Sequence, residues 1–264
     1  MIAIIVLAYN QVKLLRRCVE DVLLRTSDAT TEIVIWDNAS ADSTAAYLET
    51  VTDPRVRVVH HPENIGLNAF ARVLPETSAD YVITVDQDVI QAPDRWDETL
   101  LNGFRRLPAI GFLATNQVDD ANSECAWIMH HRDQHLYTSH VVNGVRILEG
   151  PVGGWCAMTS RHLLNQVGGY PQDRRHVYFH YDDAYIAAIG RLGFRPAILE
   201  DLSVFHASGP YYGETFTEKG EYYASRERTQ GRKDTIKRVV LRIPLVRPLN
   251  ERRGWFHPPA ASSG

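Results

Sequence analysis

Two aspartates spaced one residue apart, Asp86 and Asp88, follow an apolar run of strand length that reads DYVITV. Carboxylates at this spacing suit an oxygen-ligated divalent cation such as Mg²⁺ or Mn²⁺. Taken alone, such a pair is more often part of a turn, because aspartate is common in loops that follow strands. Its position beside two other polar strand ends favours the metal-site hypothesis here.

Those two strand ends carry Tyr9 and Asn10 after the first apolar run, and Asp37 and Asn38 after the second. In a parallel α/β sheet, ligands bind outside the carboxyl ends of the strands. A buried, unpaired charge costs several kcal/mol, so carboxylates do not end buried strands at random. We therefore expect these side chains to meet at one edge of a sheet.

The elements that would position them alternate between strand-like and helix-like patterns. The predicted strands of the first half are Ile2–Tyr9, Glu32–Trp36, Val56–His60 and Asp80–Val85. The predicted helices between them are Val12–Leu24, Ser43–Val51 and Leu67–Leu74. This order predicts an α/β fold with a mostly parallel central sheet, covered by helices on both faces through right-handed crossovers.

The second half has a weaker pattern. We expect helices at Asp97–Arg106, Arg161–Val167 and Asp182–Leu192, and strands at Ile110–Thr115 and Arg195–Leu199. Gly168 and Gly169 are a plausible C-terminal cap for the middle helix. The polar segment Asp119–Glu149 is interpreted as an inserted hairpin or a substrate-facing loop.

A second acidic pair, Asp182 and Asp183, stands at the start of a predicted helix. The simpler interpretation is an N-cap followed by an acid that the helix dipole favours. A carboxylate placed there could also act as a general base. His206 follows another apolar run, and on spacing alone a core histidine is a commoner outcome than a metal ligand.

Composition sets broad limits. The chain has 264 residues, of which 44% are hydrophobic and 23% charged, which excludes disordered and fibrous classes. The start of the chain has no run long enough to span a bilayer and no signal-peptide pattern. Three cysteines without a CxxC pair argue against a disulfide framework or a cysteine zinc site, and for the cytoplasm.

Charge is unevenly distributed. The segment Arg226–Arg253 has ten arginines and lysines against three acids, whereas the whole chain has a net charge of −4. An acidic body does not suit nucleic-acid binding. The favoured interpretation of the basic segment is a helix packed on the body. Contact with anionic lipid at the inner membrane face, or of one arginine with a bound diphosphate, is the alternative.

Several segments, in order, resemble the motifs of glycosyltransferase family 2, nucleotide-sugar enzymes of the GT-A fold. They are Ile5–Asn10, the DNxSxDxT-like stretch in Val34–Thr44, Asn64–Gly66, Asp86–Asp88, Gly153–Tyr170, the pair Asp182 and Asp183, and Phe205 with His206. The resemblance covers about residues 1–210, divided into a nucleotide-sugar half (1–116) and an acceptor-side half (117–210). A helical basic extension (211–257) and a loose tail (258–264) would follow.

By position, the resemblance implies a donor site and a metal site. The residues expected to bind the nucleotide sugar are Ala8, Tyr9, Asn10, Asp37, Asn64, Gly66, Asp86 and Gln87. Within this set, Asp37 would accept a hydrogen bond from the base, which is compatible with uracil or thymine and leaves guanine open. Asp86, Asp88 and His206 would hold Mn²⁺ or Mg²⁺.

The resemblance also implies the catalytic group. Asp183 would be the base, with Asp182 contacting the acceptor or the donor sugar. Gly154, Trp155 and Tyr181 would lie on the acceptor side. One departure from the family pattern is Tyr185, which stands where an acidic residue is usual.

The implied activity is metal-dependent, inverting transfer of a sugar from a nucleotide-diphosphate sugar to a hydroxyl of a glycan, lipid or small molecule. A sugar-1-phosphate nucleotidyltransferase is an alternative, but it would have a Gly-rich loop after the first strand. A dinucleotide-dependent oxidoreductase would need a GxGxxG there. A non-catalytic nucleotide-sugar-binding protein stays open, and it would have no need for the base Asp183.

Overall fold

The structure is a computed structural model that describes residues 1–118, 137–173 and 181–207. The chain divides into two compact units, Met1–Ser208 and Gly209–Gly264. The predicted basic extension and loose tail lie outside the described residues, as does the 119–136 part of the predicted insert. The division into functional halves and a tail stays a prediction.

The first half has the predicted alternation. Its elements are β1 (Ile2–Ala8), α1 (Val12–Arg25), β2 (Thr30–Asp37), α2 (Thr44–Leu48), β3 (Val56–His60), α3 (Asn68–Val73) and β4 (Tyr81–Asp86). β1 pairs in parallel with β2 and β4, and β2 pairs in parallel with β3. Because the β1 residues Ile2–Val6 are completely buried, this strand forms the centre of the core.

The strand register aligns the carboxyl ends of these four strands. Ala8 is paired with Asp37, Asp37 with His60, and Leu7 with Asp86. The polar residues that follow or end the strands therefore share one edge of the sheet, as the sequence predicted.

The second half adds antiparallel strands. Its elements are β5 (Val89–Ile90), α4 (Trp96–Arg106), β6 (Ile110–Gln117), β7 (Thr138–Val142), β8 (Val145–Glu149), β9 (Cys156–Ser160), α5 (Arg161–Val167), α6 (Tyr181–Gly190) and β10 (Arg195–His206). Within the described residues the sheet order is β3-β2-β1-β4-β9-β6-β10-β8-β7, and β5 pairs with β10. β9 runs antiparallel to β4 and β6, so the sheet is mixed but mostly parallel.

Local signals account for several of these elements. β7 and β8 form a hairpin whose turn residues Asn143 and Gly144 both have positive φ angles, 50° and 72°, as a tight two-residue hairpin turn requires. The Ser160 side chain caps α5 by accepting from Leu163 N, and Gly168 ends that helix with a φ of 85°. The predicted glycine cap is therefore present.

Strand β10 is longer than predicted. The sequence indicated a strand at Arg195–Leu199, but the structure continues it to His206 with a shift in register against β6 between Leu199 and Ser203. The shift lets the strand bend and resume pairing. None of the described helices is long and apolar enough to cross a membrane.

Candidate functional site

The side chains of Asp86, Asp88 and His206 converge at the carboxyl edge of the sheet. Asp86 ends β4, Asp88 lies in the following turn, and His206 ends β10; one potential ligand atom from each lies within 4.8 Å of the others. His206 Nε2 lies 3.2 Å from Asp88 Oδ1 and 3.8 Å from Asp86 Oδ2. The cluster thus joins the predicted D-x-D to the predicted late histidine.

A short strand brings His206 to the aspartates. β5 follows Asp88 directly and pairs antiparallel with the end of β10, so that Val89 faces His206 and Ile90 faces Phe205. The Ala207 N–H donates to the carbonyl oxygen of Asp88 at 3.0 Å, which extends the ladder. The main chain, and not only the side chains, therefore sets the distance between His206 and Asp88.

The chemistry of the donor set fits Mn²⁺ or Mg²⁺. Carboxylate oxygens suit both ions, and an imidazole nitrogen is a ligand that transition ions such as Mn²⁺ accept more readily than Mg²⁺ does. The Asp88 and His206 side chains are 7% and 13% exposed, and that of Asp86 is 37% exposed. The cluster is therefore open mainly on the side of Asp86.

A buried thiol lies beneath the cluster. Cys18 Sγ is 3.6 Å from the carbonyl oxygen of Asp86. Burial, with a further contribution from the Asp88 carboxylate, raises the pKa of the Cys18 thiol well above its ordinary value. Cys18 therefore stays a neutral thiol at physiological pH.

The residue between the two aspartates holds the end of β1. Gln87 Oε1 accepts from the Tyr9 N–H at 2.7 Å, and Gln87 Nε2 donates to the Tyr9 carbonyl oxygen at 3.0 Å. The sequence predicted a nucleotide-sugar contact for Gln87. In the structure its amide is hydrogen bonded to the main chain of Tyr9, and the donor contact stays a prediction.

The loop after β1 is tied to the loop after β2. Asn10 has a φ of 54°, its N–H donates to Ser40 Oγ at 2.8 Å, and its Oδ1 accepts from the Ala41 N–H at 2.8 Å. Ala8 is completely buried and accepts from the Asn38 N–H. Ala8 therefore has no exposed surface, whereas Tyr9 and Asn10 are partly exposed.

Asn38 positions the Asn64–Gly66 turn, a role that the sequence did not reveal. Its Oδ1 accepts from the Ile65 N–H at 2.9 Å, and its Nδ2 donates to the Gly66 carbonyl oxygen at 3.2 Å. Asn64 Oδ1 accepts from the Gly66 N–H at 2.9 Å, and Gly66 has a φ of 57°. The predicted turn is thus brought to the end of β2.

The Asp37 carboxylate is almost completely buried, with 3% of the residue exposed. Its Oδ1 accepts from the Ser40 N–H at 3.0 Å, and its Oδ2 lies 2.9 Å from His60 Nδ1. The sequence analysis assigned no function to His60, although that residue ends the strand next to β2. The β2–β3 register brings His60 to Asp37, and the apolar runs of the sequence do not specify that register to the residue.

The acidic pair lies in the first turn of α6. Asp182 Oδ2 accepts from the Gly154 N–H at 2.9 Å, and its Oδ1 accepts from the Asp183 N–H at 3.0 Å. Asp183 is exposed. Both carboxylates lie in the first turn of the helix as described, Tyr181–Gly190, where the helix dipole favours them.

The predicted acceptor-side aromatics lie beneath the site. Trp155 is 5% exposed, donates from Nε1 to the Thr115 carbonyl oxygen at 3.1 Å, and has its ring stacked on His206 with centroids 6.3 Å apart. Tyr181 is 4% exposed and donates to the Gly154 carbonyl oxygen at 3.2 Å. Both residues are thus buried, and their placement on the acceptor side stays a prediction.

Tyr185, which replaces the acid of the family pattern, is a core residue. It is completely buried, and its hydroxyl lies 2.6 Å from Thr159 Oγ1. Since Thr159 donates to the Gly111 carbonyl oxygen, the Tyr185 hydroxyl is the donor to Thr159. This position therefore supports the sheet and does not face the cluster.

Comparisons with solved structures agree with this architecture. The mannosyltransferase PcManGT from Pyrobaculum calidifontis, in complex with GDP-Man and Mn²⁺, is 22% identical with a TM-score of 0.57, over 80% of this chain and 58% of that chain. Glucosyl-3-phosphoglycerate synthase from Mycobacterium tuberculosis, in complex with Mn²⁺, UDP and glucosyl-3-phosphoglycerate, is 18% identical with a TM-score of 0.53, over 80% and 73% of the two chains. These similarities establish a common fold, and the predicted GT-A fold is confirmed.

Sequence comparison gives the family. The succinoglycan biosynthesis protein ExoO of Rhizobium meliloti (strain 1021) is 30% identical over 95 residues, which is 36% of this chain and 27% of that protein. This chain thus spans only part of that relative and of the mannosyltransferase. The model of glycosyl transferase family 2 matches residues 3–168, well over half of the sequence. The chain belongs to glycosyl transferase family 2.

Proposed function

We propose that this protein is a divalent-metal-dependent, inverting glycosyltransferase. It would move a hexosyl or deoxyhexosyl group from a nucleotide-diphosphate sugar, with UDP- and dTDP-sugars favoured, to a hydroxyl of a glycan, lipid or small molecule. The observation that carries the proposal is the convergence of Asp86, Asp88 and His206 within 4.8 Å at the carboxyl edge of the sheet. Ligands of parallel α/β sheets bind at this edge.

The three converging residues would hold the cation against the donor diphosphate. A bound Mn²⁺ or Mg²⁺ supplies a Lewis acid that stabilises the charge on the departing nucleotide diphosphate. Asp88 and His206 are held by main-chain pairing between β5 and β10, so their geometry is fixed before the donor binds. Such preorganisation lowers the cost of reaching the transition state.

Asp183 would be the general base. Its carboxylate is exposed in the first turn of α6, where it would take the proton of the acceptor hydroxyl as the oxygen attacks the anomeric carbon. General-base catalysis contributes typically about 10²- to 10⁴-fold to the rate. Attack from the face opposite the leaving diphosphate inverts the anomeric configuration. Asp182, fixed on Gly154 N, would contact the acceptor or the donor sugar.

The first-half loops would bind the nucleotide. Tyr9 and Asn10 are expected to border the base and the ribose, and the Asn64–Gly66 turn to lie near the ribose and diphosphate. The hydrogen bonds of Asn10 with Ser40 and Ala41 support this assignment because they hold the loop at the sheet edge. The two solved relatives, whose structures contain Mn²⁺ with GDP-Man or UDP, also support a nucleotide-sugar donor.

A donor screen tests the proposal. Thermal unfolding of the full chain would be followed with UDP-, dTDP- and GDP-sugars, each with Mn²⁺ and with EDTA. We expect one donor class to raise Tm in the presence of Mn²⁺ only, because ligands that bind the native state stabilise it. Indifference of Tm to every nucleotide sugar and to the chelator would contradict the proposed function.

A further inference from the structure

Asp37 and His60 form a hydrogen-bonded pair with very unequal exposure. They are register partners on the neighbouring strands β2 and β3, and His60 Nδ1 lies 2.9 Å from Asp37 Oδ2. The Asp37 side chain is 5% exposed, whereas that of His60 is 47% exposed. A ligand that reaches the end of these two strands therefore meets the histidine more readily than the aspartate.

The pair fixes the tautomer of His60. Asp37 Oδ1 accepts from the Ser40 N–H, which leaves Oδ2 to face His60 Nδ1. Because a carboxylate only accepts hydrogen bonds, His60 Nδ1 must carry the proton. In a neutral imidazole, Nε2 is then an acceptor, and among the described residues the structure records no partner for it.

The adjacent histidine has a different environment. The ring of His61 is stacked on Trp36, with centroids 5.1 Å apart, and its Nδ1 lies 2.7 Å from the Glu63 carbonyl oxygen and 3.2 Å from the Glu63 nitrogen, so that it faces both an acceptor and a donor. His61 is therefore fixed by its own turn. Of the two successive histidines, His60 is the one whose tautomer is set by a carboxylate, so that in the neutral ring its Nε2 is an acceptor, and its side chain is 47% exposed.

We propose that His60 Nε2, and not the Asp37 carboxylate as the family resemblance implies, accepts a hydrogen bond from the ring N–H of the donor nucleobase, and that Asp37 is the positioning residue that sets the polarity of His60. This inference rests on the proposed function, which places the nucleotide over the ends of β1 and β2. Uracil and thymine offer an N3–H, and guanine an N1–H. Cytosine and adenine have a lone pair at the corresponding ring position, which would face the lone pair of Nε2.

Calorimetric titration of UDP, dTDP, GDP, CDP and ADP in the presence of Mn²⁺ tests the assignment. We expect wild-type protein to bind one of the first three at least about tenfold more tightly than CDP or ADP, because a mismatched acceptor loses the hydrogen bond. His60→Phe keeps an aromatic ring but has no acceptor, and should reduce that preference to about threefold or less.

His140→Phe is the matched control. His140 lies on β7, its side chain is 45% exposed, and its Nε2 is 3.8 Å from the Glu149 carboxylate. It therefore resembles His60 in exposure and in having a carboxylate neighbour, but it lies on the strand at the opposite end of the sheet. Its base preference should equal that of the wild type.

Asp37→Asn supplies a second variant in which His60 is retained. The amide oxygen of the new side chain would still accept the hydrogen bond from the Ser40 N–H, so its NH₂ group would face His60 Nδ1. His60 Nδ1 must then accept a hydrogen bond from that NH₂ group. The proton moves to Nε2, and the preference should shift toward CDP by about tenfold or more. In ¹⁵N spectra of histidine-labelled wild-type protein, the Nε2 resonance of His60 should shift when the preferred nucleotide is added.

The outcomes separate the two proposals. If the wild type binds none of the five nucleotides, the proposed function fails and the inference fails with it. If the wild type binds a nucleotide but prefers CDP or ADP, the role of His60 is wrong while the nucleotide site stands. An unchanged preference in His60→Phe, or an unshifted Nε2 resonance, would also overturn the role of His60.

Discussion

The side-chain amide of Gln87 is hydrogen bonded to both main-chain groups of Tyr9, accepting from its N–H and donating to its carbonyl oxygen. The pair joins the turn that carries Asp86 and Asp88 to the end of β1. In the proposed enzyme, the turn belongs to the metal site and the end of β1 borders the nucleotide. The middle residue of the D-x-D thus holds two parts of the donor site in register.

Replacing Gln87 should therefore weaken donor binding without removing the metal site. Gln87→Leu loses both hydrogen bonds to Tyr9. The Tyr9 N–H then has no Gln87 acceptor, which raises the free energy of this loop conformation by about 1–3 kcal/mol. We expect about tenfold weaker nucleotide-sugar binding by calorimetry, with Mn²⁺ binding near that of the wild type. Gln166→Leu, at an exposed position of α5, is the control. Equal donor affinity in both variants would show that the bridge to Tyr9 is dispensable.

Removing Asp88, a proposed metal ligand, should instead remove the metal dependence of donor binding. Asp88→Ala deletes a side chain that is 7% exposed and lies 3.2 Å from His206 Nε2. We expect the Mn²⁺-dependent part of donor binding to be lost, measured as the difference between titrations with Mn²⁺ and with EDTA. Asp201→Ala removes an exposed aspartate whose side chain is 61% exposed and should leave the difference intact. A full Mn²⁺ effect in Asp88→Ala would exclude Asp88 as a ligand.

The base can be tested apart from donor binding. Asp183→Asn keeps the size of the side chain and its place in the first turn of α6, but it cannot take a proton from the acceptor. Transfer should fall by at least about 10²-fold, while nucleotide-sugar affinity stays within a few fold. Near-normal turnover would remove Asp183 from the mechanism and reopen the non-catalytic, nucleotide-sugar-binding alternative.

The extent of the sequence-based prediction follows from how local each signal is. The strands β1 and β2 were predictable because each contains a short, buried apolar run that ends in polar residues. The same holds for α5, whose cap residues Ser160 and Gly168 are adjacent to it in sequence. The carboxyl edge could be predicted since parallel pairing makes neighbouring strands end together.

The remaining features depend on contacts between distant residues. β5 is two residues long and exists through its pairing with the end of β10, so no periodicity reveals it. The hydrogen bonds of Asn38 to Ile65 and Gly66 join two loops. The pairing of His60 with Asp37 depends on the β2–β3 register, which apolar runs do not specify to the residue.

Gly154 is a position where a single methyl group should be costly. A Cβ there would overlap the Tyr181 hydroxyl and lie 2.8 Å from the ring carbon that bears it. Tyr181 has little room to move, because its hydroxyl is also 3.1 Å from Thr84 Oγ1 in the buried core. We expect Gly154→Ala to lower the free energy of unfolding by about 1–3 kcal/mol, measured by urea denaturation.

Gly190→Ala provides the comparison for this glycine. Gly190 ends α6, and a Cβ there would have no heavy atom within 4 Å. Because alanine is a better helix former than glycine, this variant should be neutral or stabilised by up to about 1 kcal/mol. A Gly154→Ala protein as stable as Gly190→Ala would mean that the start of α6 adapts freely, contrary to the packing in the structure.

Buried tyrosines should make the fold sensitive to alkaline pH. Burial raises the pKa of Tyr185 to about 12, and it also raises those of Tyr170 and Tyr181 well above the ordinary value near 10. Below pH 10 the tyrosines are protonated in both states, so they give no pH dependence. Above pH 10 the unfolded chain releases protons that the folded chain keeps, so stability falls as the pH rises, by about 1.4 kcal/mol per pH unit for each such tyrosine.

Tyr185→Phe tests the contribution of one of these tyrosines to the pH dependence. The variant loses the hydrogen bond to Thr159, so at pH 8 it should be less stable than the wild type by about 1 kcal/mol. Between pH 10 and about 12, the folded-state pKa of Tyr185, its stability should fall less steeply with pH because one titrating group is gone. Urea denaturation followed by tryptophan fluorescence at half-unit pH intervals gives both slopes. If the two slopes are equal, Tyr185 ionises as readily in the folded protein as in the unfolded chain, and its burial does not hold the proton.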